Sequence, residues 1–149
     1  PKKGVVIWDK MDFKTKTIRD KKVITLEQEL YIHQGNITII NTYAPNTGSS
    51  QYIKQILLEL KQETDPKTII AGDFNAILSP MDRSSRQKIN QERLDLICTM
   101  DQMDLIDIYR TFHPTAIEYT IFSSAHGSFS RIDNMLGHKT CLKTFRKLK

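Results

Sequence analysis

The 149-residue sequence lacks the features that mark several large classes of protein. Its two cysteines, Cys98 and Cys141, are too few for a disulfide framework, and without a CxxC pair they argue against a structural zinc site. No apolar run approaches the roughly 18 residues that cross a membrane, so we expect no membrane partner. Glycine-rich phosphate loops of the GxxxxGKS/T and GxGxxG types are absent, which argues against an NTPase or a dinucleotide-dependent enzyme.

The N-terminus has neither an initiator methionine nor a signal peptide. We therefore expect a piece of a longer intracellular protein, in the nucleus and cytoplasm, where thiols stay reduced. With 39% hydrophobic and 26% charged residues, the composition is that of a globular protein, and the length suits one domain. The net charge of +5 is concentrated at the ends, which is compatible with a polyanionic partner, although lysine-rich ends are more often simply solvated.

Short apolar runs separated by turn signals predict strands that alternate with two helices, and hence an α/β fold. The predicted strands are residues 4–8, 23–27, 30–33, 37–43, 67–71, 105–109, 119–122 and 131–136, with 23–27 pairing with 30–33 and a turn at Gly35-Asn36. The first helix is predicted to start after Ser50 as N-cap and to bury Ile53, Ile56, Leu57 and Leu60. The second is predicted over 92–103, with Leu94, Ile97 and Cys98 on one face.

The segment Gly72-Asp73-Phe74-Asn75 carries the sharpest chemical signal. Side chains two apart in an extended chain point the same way, so we expect Asp73 and Asn75 to converge at the C-terminal edge of a buried strand. A carboxylate and an amide there can orient a water, a divalent cation and a phosphate oxygen. The alternative is a plain turn, because Asp-x-Asn is also a common turn sequence.

Two further segments place polar groups near predicted strand ends. Tyr43 and the amide of Asn46 can donate to a phosphate oxygen, unless Tyr43 is a boundary residue with its hydroxyl in water. Arg131 and Asp133 share a strand face, where Asp133 can orient a histidine from elsewhere. The alternative for Arg131 is an ordinary salt bridge. The four histidines have no metal-ligand spacing.

In three ordered motifs the chain resembles the endonuclease/exonuclease/phosphatase superfamily, which includes apurinic/apyrimidinic endonucleases and deoxyribonuclease I. The motifs are Asn41-Thr42-Tyr43-Ala44-Pro45-Asn46, Gly72-Asp73-Phe74-Asn75 and Arg131-Ile132-Asp133. The finer resemblance, carried by residues 82–88, 104–110 and 118–123, is to the endonuclease domain of LINE-1 retrotransposons. It implies an incomplete two-sheet α/β sandwich of the deoxyribonuclease I type. Residues 1–149 would form one partial domain, with a core at about 4–137 and a basic tail at 138–149.

The resemblance implies hydrolysis of DNA phosphodiesters assisted by Mg²⁺. Asp73 would activate water, Asn75 would stabilise the phosphorane, Tyr43 would contact the phosphate and Asp133 would orient a histidine. Asp73 and Asn75 would also hold the metal. The implied substrate contacts are Asn46, Arg83, Thr120, Ser130 and Arg131. The implied partners are target DNA and a reverse transcriptase domain of the same polyprotein.

The resemblance also implies an N-terminal Glu metal ligand and a C-terminal Ser-Asp-His strand, and this sequence contains neither in the matching place. We therefore expect the fragment to be weakly active or inactive alone. Three alternatives stay open: a silent nucleic-acid-binding remnant, another phosphoesterase such as a phosphoinositide phosphatase or sphingomyelinase, and a folded relic.

Overall fold

In the part of the chain that the structure describes, six strands form one sheet and two more form a separate hairpin. The computed structural model describes residues 14–20, 23–32, 35–62, 65–85, 88–125 and 127–143, with side chains from residue 39 onward. Within these residues the strands are β1 (Lys14–Asp20), β2 (Val23–Ile32), β3 (Gly35–Tyr43), β4 (Thr68–Asp73), β5 (Leu105–Asp107), β6 (Ile121–Ser123), β7 (Ser128–Ser130) and β8 (Asp133–His138). The helices are α1 (Ser49–Leu60), α2 (Gln91–Gln102) and α3 (Ile108–Phe112).

The large sheet has the strand order β1-β2-β3-β4-β8-β5, and β6 pairs with β7 in the small one. The β3–β4 pair is parallel and the other pairs are antiparallel. The predicted α/β class with two sheets is therefore confirmed. Strand β3 is interior, as the apolar run at residues 37–43 predicts. No described helix is long and apolar enough to span a membrane.

One face of the central strands carries the main core. Ile40, Ile70 and Leu136 come from β3, β4 and β8 and pack with residues of α1 and α2. The predicted buried face of α1 is confirmed, since Ile53, Ile56, Leu57 and Leu60 are all buried. Burial of such side chains contributes roughly 25 cal/mol per Å² of apolar surface, so this layer dominates the stability of the described fold.

The start of α1 and the buried face of α2 differ from the predictions. Helix α1 begins after Gly48, whose left-handed backbone (φ 68°) forms the N-cap, and not after Ser50. Helix α2 buries Leu96, Thr99 and Met100, while Leu94 is 41% exposed. Thr99 can be buried because its hydroxyl is satisfied within the helix, donating to the carbonyl of Asp95 at 2.8 Å.

Several predicted strands are also corrected. Residues 23–27 and 30–33 do not pair with each other, because β2 runs unbroken through Val23–Ile32 between β1 and β3. Gly35 and Asn36 belong to β3 and are not a turn. The strand at 105–109 ends at Asp107, whose carboxylate accepts from the Arg110 N–H at 3.1 Å and caps α3. The predicted strand at 4–8 lies outside the described residues.

The backbones of β3 and β4 approach closely at Gly72. Its backbone has φ 141°, and a Cβ added there would lie 2.0 Å from the carbonyl oxygen of Thr42. No other residue fits without moving one of the two strands. The expected role of Gly72, to let the backbone come close, is therefore present in the structure.

We expect Gly72→Ala to lower the free energy of unfolding by about 2 kcal/mol or more, because it adds both a clash and an unfavourable φ. Gly127→Ala is the matched control, since Gly127 also has a positive φ (58°) but nothing within 4 Å of its added Cβ. Urea unfolding followed by circular dichroism measures both. Equal losses in the two variants would show that the contact with Thr42 does not matter.

Candidate functional site

Three residues with predicted roles lie side by side at one end of the large sheet. Tyr43 of β3 is opposite Asp73 of β4, and Asp73 is opposite Asp133 of β8. Residues directly opposite on neighbouring strands point to the same face, so these side chains form a row. Tyr43 is 53% exposed, Asp133 is exposed and Asp73 is half-buried. We call these three residues the strand-end row.

The chain leaves the extended conformation directly after Asp73. Phe74 is fully buried and Asn75 has a left-handed backbone (φ 47°), so the two-residue alternation that predicted convergence of Asp73 and Asn75 does not apply. Instead, Asp73 Oδ1 accepts a hydrogen bond from the N–H of Asn75 at 3.0 Å. This is the turn that the sequence left open as the alternative.

Asn75 ties three elements together at this edge. Its Nδ2 donates to the carbonyl of Ala44, just after β3, at 2.6 Å. Its own carbonyl accepts from Ser49 Oγ, at the start of α1, at 2.7 Å. The side-chain nitrogen is thus committed to the fold, and Oδ1 is the side-chain atom of Asn75 that is suited to accept from a ligand or to bind a cation.

The loop after β3 follows the edge of β4. The N–H of Ala44 donates to the carbonyl of Asp73 at 2.9 Å. Asn46 lies exposed in the bend that follows, two residues before the N-cap of α1. Tyr43 and Asn46 are both exposed, and both are predicted to contact phosphate. They lie at the end of β3 and in the loop that follows it, and this loop is anchored on Asp73.

A second group of predicted residues meets at the base of the β6–β7 hairpin. Arg83 forms an isolated bridge with Ser130, and the N–H of Thr120 donates to the carbonyl of Ser130 at 2.9 Å. Thr120 Oγ1 accepts from the N–H of Ile132 at 3.0 Å. Thr120 is exposed, whereas Ser130 is buried. Because the carbonyl of Ile132 accepts from the N–H of Phe74 at 2.9 Å, this base is joined to the loop after β4.

Arg131 lies in a buried ion-pair cluster and not at a free surface. Its Nε donates to Asp82 Oδ1 at 3.0 Å, and its Nη2 pairs with Asp107. Arg110 also pairs with Asp82, which is completely buried. Burial lowers the pKa of Arg131, but its bonds to Asp82 and Asp107 outweigh burial and raise it above the ordinary value. The geometry thus favours the salt bridge over a substrate contact for Arg131, because its guanidinium is engaged by two carboxylates.

Several residues that hold this edge in place have no role predicted from the sequence: Ser49, Asp82, Arg110 and Asn134. Asp82 had a visible signal, since Ser79-Pro80-Met81-Asp82 has the spacing of a capping box, and the structure forms that box. Asn134 had none. It is buried on β8, and its Nδ2 donates to the carbonyls of Ala76 at 3.1 Å and Ile132 at 3.0 Å.

Comparison with protein families matches residues 2–147 to the endonuclease/exonuclease/phosphatase family. The chain belongs to this family. Among curated proteins it is 28% identical over 102 residues to the "Transposon TX1 uncharacterized 149 kDa protein" of Xenopus laevis. That match covers 65% of this chain and 8% of the transposon protein.

Solved structures of other proteins share the fold. The endonuclease domain of TRAS1, a telomere-specific non-LTR retrotransposon, superposes with a TM-score of 0.66 at 13% identity, covering 92% of this chain. An AP endonuclease from Archaeoglobus fulgidus gives a TM-score of 0.61 at 21% identity, covering 89% of this chain. The chain spans 60% of the length of each of these two structures. At such identities the likeness establishes the fold of this member of the family.

We expect Ser49→Ala to lower the free energy of unfolding by about 1 kcal/mol, because it removes the half-buried hydrogen bond to the Asn75 carbonyl. Ser50→Ala is the matched control, since Ser50 is the adjacent serine and does not cap α1. Chemical denaturation of both variants measures the difference. A larger loss in Ser50→Ala would restore the N-cap role predicted from sequence.

Proposed function

We propose that this chain cleaves DNA phosphodiesters, as part of the nicking endonuclease domain of a LINE-type retrotransposon. The observation that carries the proposal is the strand-end row, which sets a phenol and two carboxylates side by side in a member of the endonuclease/exonuclease/phosphatase family. The likeness to a retrotransposon endonuclease and to a transposon protein supports the retroelement origin. By this proposal the parent polyprotein also carries a reverse transcriptase, acts on DNA in the nucleus, and contains residues 1–149 within a single domain.

The two carboxylates of the strand-end row support a functional role by their position. Like charges directly opposite each other on neighbouring strands are destabilising. Asp73 and Asp133 nevertheless pair directly across β4 and β8. A cation between them would offset this repulsion, so the arrangement fits a site that is completed by a bound cation.

The proposal includes Mg²⁺, and the donor atoms at this edge suit it. Mg²⁺ prefers oxygen ligands and is often held by one or two carboxylates, substrate phosphates and water. Asp73, Asp133 and Oδ1 of Asn75 would be the protein ligands. A bound Mg²⁺ neutralises charge on the phosphoryl group and lowers the pKa of water.

The roles of the chain's own groups follow from their chemistry. Asp73 is half-buried and can accept a proton from a water that attacks the phosphorus. The exposed hydroxyl of Tyr43 and the amide of Asn46 can donate to the non-bridging oxygens of the phosphate. Thr120 and Arg83, at the hairpin base, would contact the DNA backbone farther along the duplex.

We expect the chain to nick supercoiled plasmid in the presence of Mg²⁺, at a low rate, and to lose at least about 100-fold of that rate on Asp73→Ala or on chelation by EDTA. Asp95→Ala is the matched control, because Asp95 lies on α2, away from the strand-end row. Gel electrophoresis of plasmid, with circular dichroism of each variant, gives the readout. Nicking that persists equally in Asp73→Ala would disprove the assignment.

A second candidate function is DNA binding without cleavage. The described residues contain no group of three or more His, Cys, Asp or Glu side chains placed to hold a metal ion, which favours this candidate. The net charge of +5 suits a polyanion. Two carboxylates and an amide are expected to bind a metal ion weakly. DNA binding can therefore persist without metal-dependent cleavage more easily here than in a site with more charged ligands.

For this second function we expect duplex DNA affinity to fall steeply with salt, and Arg83→Gln to reduce the slope of log K against log[salt] by about one unit. Lys67→Gln is the control, because Lys67 is exposed just before β4, at the opposite end from Asp73. Fluorescence anisotropy at several salt concentrations measures the slopes. Equal slopes for Arg83→Gln and the unchanged chain would remove Arg83 from the DNA contact.

A further inference from the structure

The β6–β7 hairpin is not held in place by the hydrophobic core. Its strands have three residues each, and its aromatic side chains Phe122 and Phe129 are about half exposed (53% and 49%) and pack on each other at 4.7 Å. Neither core cluster of the described residues includes a hairpin residue. Because an isolated two-stranded hairpin is marginal in water, other contacts must fix its position.

Those contacts come from residues 82–84, which follow the loop after β4 and which we call the docking segment. The N–H of Ser84 donates to the carbonyl of Phe129 at 2.9 Å, and Ser84 Oγ accepts from the N–H of Phe129 at 2.8 Å. Arg83 bridges Ser130. The N–H of Arg131 donates to the carbonyl of Asp82 at 2.7 Å. Residues 82–84 thus lie along β7 like a third strand.

The carboxylate of Asp82 joins this contact to the rest of the protein. It accepts from Arg131, from Arg110 and from the N–H of Ser79 at 3.0 Å, all inside the fold. Arg131 in turn donates through Nη1 to the carbonyl of Asp133 at 3.3 Å. One buried carboxylate therefore links the hairpin to the residue at the end of the strand-end row.

We infer that Asp82 is a positioning residue that fixes the β6–β7 hairpin, with Thr120 and Ser130 at its base, relative to Asp73 and Asp133. Asp82 touches no substrate, because it is completely buried. It acts through Arg131, which it orients between the hairpin and β8. The part of this inference that concerns DNA rests on the proposed function, whereas the docking of the hairpin does not.

Asp82→Asn is the main test, because asparagine has nearly the same volume but no charge. It removes the charge that pairs with both Arg110 and Arg131 and that also acts on Arg93, and buried sites tolerate the loss of such a partner poorly. We expect the amides of Ser84, Phe129 and Arg131 to exchange hydrogen at least about tenfold faster than in the unchanged chain, while Ile70 and Leu136 keep their protection. Hydrogen exchange resolved by NMR measures these amides.

Three outcomes of this measurement are decisive. Faster exchange confined to the hairpin supports the positioning role. Unchanged exchange at the hairpin overturns it, and so does a parallel loss at Ile70 and Leu136, since Asp82 would then support the whole fold. The double variant Asp82→Asn/Arg110→Gln removes one of the guanidiniums that lost its carboxylate partner. It is expected to recover part of the hairpin protection, whereas a purely steric role predicts no recovery.

If Asp82→Asn does not fold, two milder variants test whether residues 82–84 fix the position of the hairpin. Ser84→Ala removes one exposed hydrogen bond of the docking segment, and Gln91→Ala removes one exposed hydrogen bond on α2, between Nε2 and Asp95 at 2.9 Å. Faster hairpin exchange only in Ser84→Ala supports docking through residues 82–84. Equal behaviour of the two variants contradicts it.

Catalysis gives a separate readout. With plasmid DNA as substrate, Asp82→Asn should raise KM by at least about fivefold, whereas hydrolysis of bis(p-nitrophenyl) phosphate, too small to reach the hairpin, should keep its kcat. Equal losses on both substrates would contradict the positioning role. If the unchanged chain hydrolyses neither substrate, the proposed function fails, and the exchange measurements still decide the role of Asp82.

Discussion

At Gly72 the backbones of β3 and β4 approach so closely that the carbonyl oxygen of Thr42 occupies the space of a Cβ. A slip of one residue would bring a side chain to that point and would turn every side chain of the strand to the other face. The contact therefore selects a single register for the parallel pair. Strand β8 pairs with the same β4, so the register that seats Gly72 also sets Tyr43, Asp73 and Asp133 beside one another.

The same alternation gives the two faces of the sheet different roles near the strand-end row. Thr42, Gly72 and Asn134 lie directly beside the strand-end row along their strands, and all three are buried on the core face. The core face carries the main apolar cluster, and the opposite face carries the strand-end row together with a smaller apolar cluster around Ile69 and Ile108. The strand-end row therefore lies at the end of a sheet that is packed on both faces.

The sequence predicts the elements whose signal is local and periodic. The apolar run of β3 and the buried face of α1 are confirmed because burial at those positions follows directly from spacing. The predicted buried face of α2 was wrong because it was chosen from apolar residues alone. Thr99 can be buried on α2 because its hydroxyl donates to a carbonyl within the helix. The sequence predicts two short strands where the structure has the single strand β2, because the middle of β2 is polar. Pairing with β1 on one side and β3 on the other keeps this polar stretch extended.

In the candidate site, too, local features are predictable from the sequence and features that depend on distant contacts are not. Its motif residues are visible in the sequence, but their geometry depends on contacts between distant segments. Asn75 adopts a left-handed backbone that is stabilised by Ala44 and Ser49, 31 and 26 residues away in the chain, so no local rule predicts where its side chain points. Asp82 and Arg131 are separated by 49 residues in the chain and meet in the folded protein.

Arg131 illustrates how one motif residue can serve the fold and not the ligand. A guanidinium in a segment that is proposed to contact DNA would ordinarily be assigned to phosphate binding, because its planar donors match phosphate as well as carboxylate. Here Arg131 already pairs with Asp82 and Asp107, and turning it toward DNA would take the Arg131 ion pair from Asp107 and leave Asp82 with Arg110. The ion-pair cluster therefore favours a structural role for Arg131.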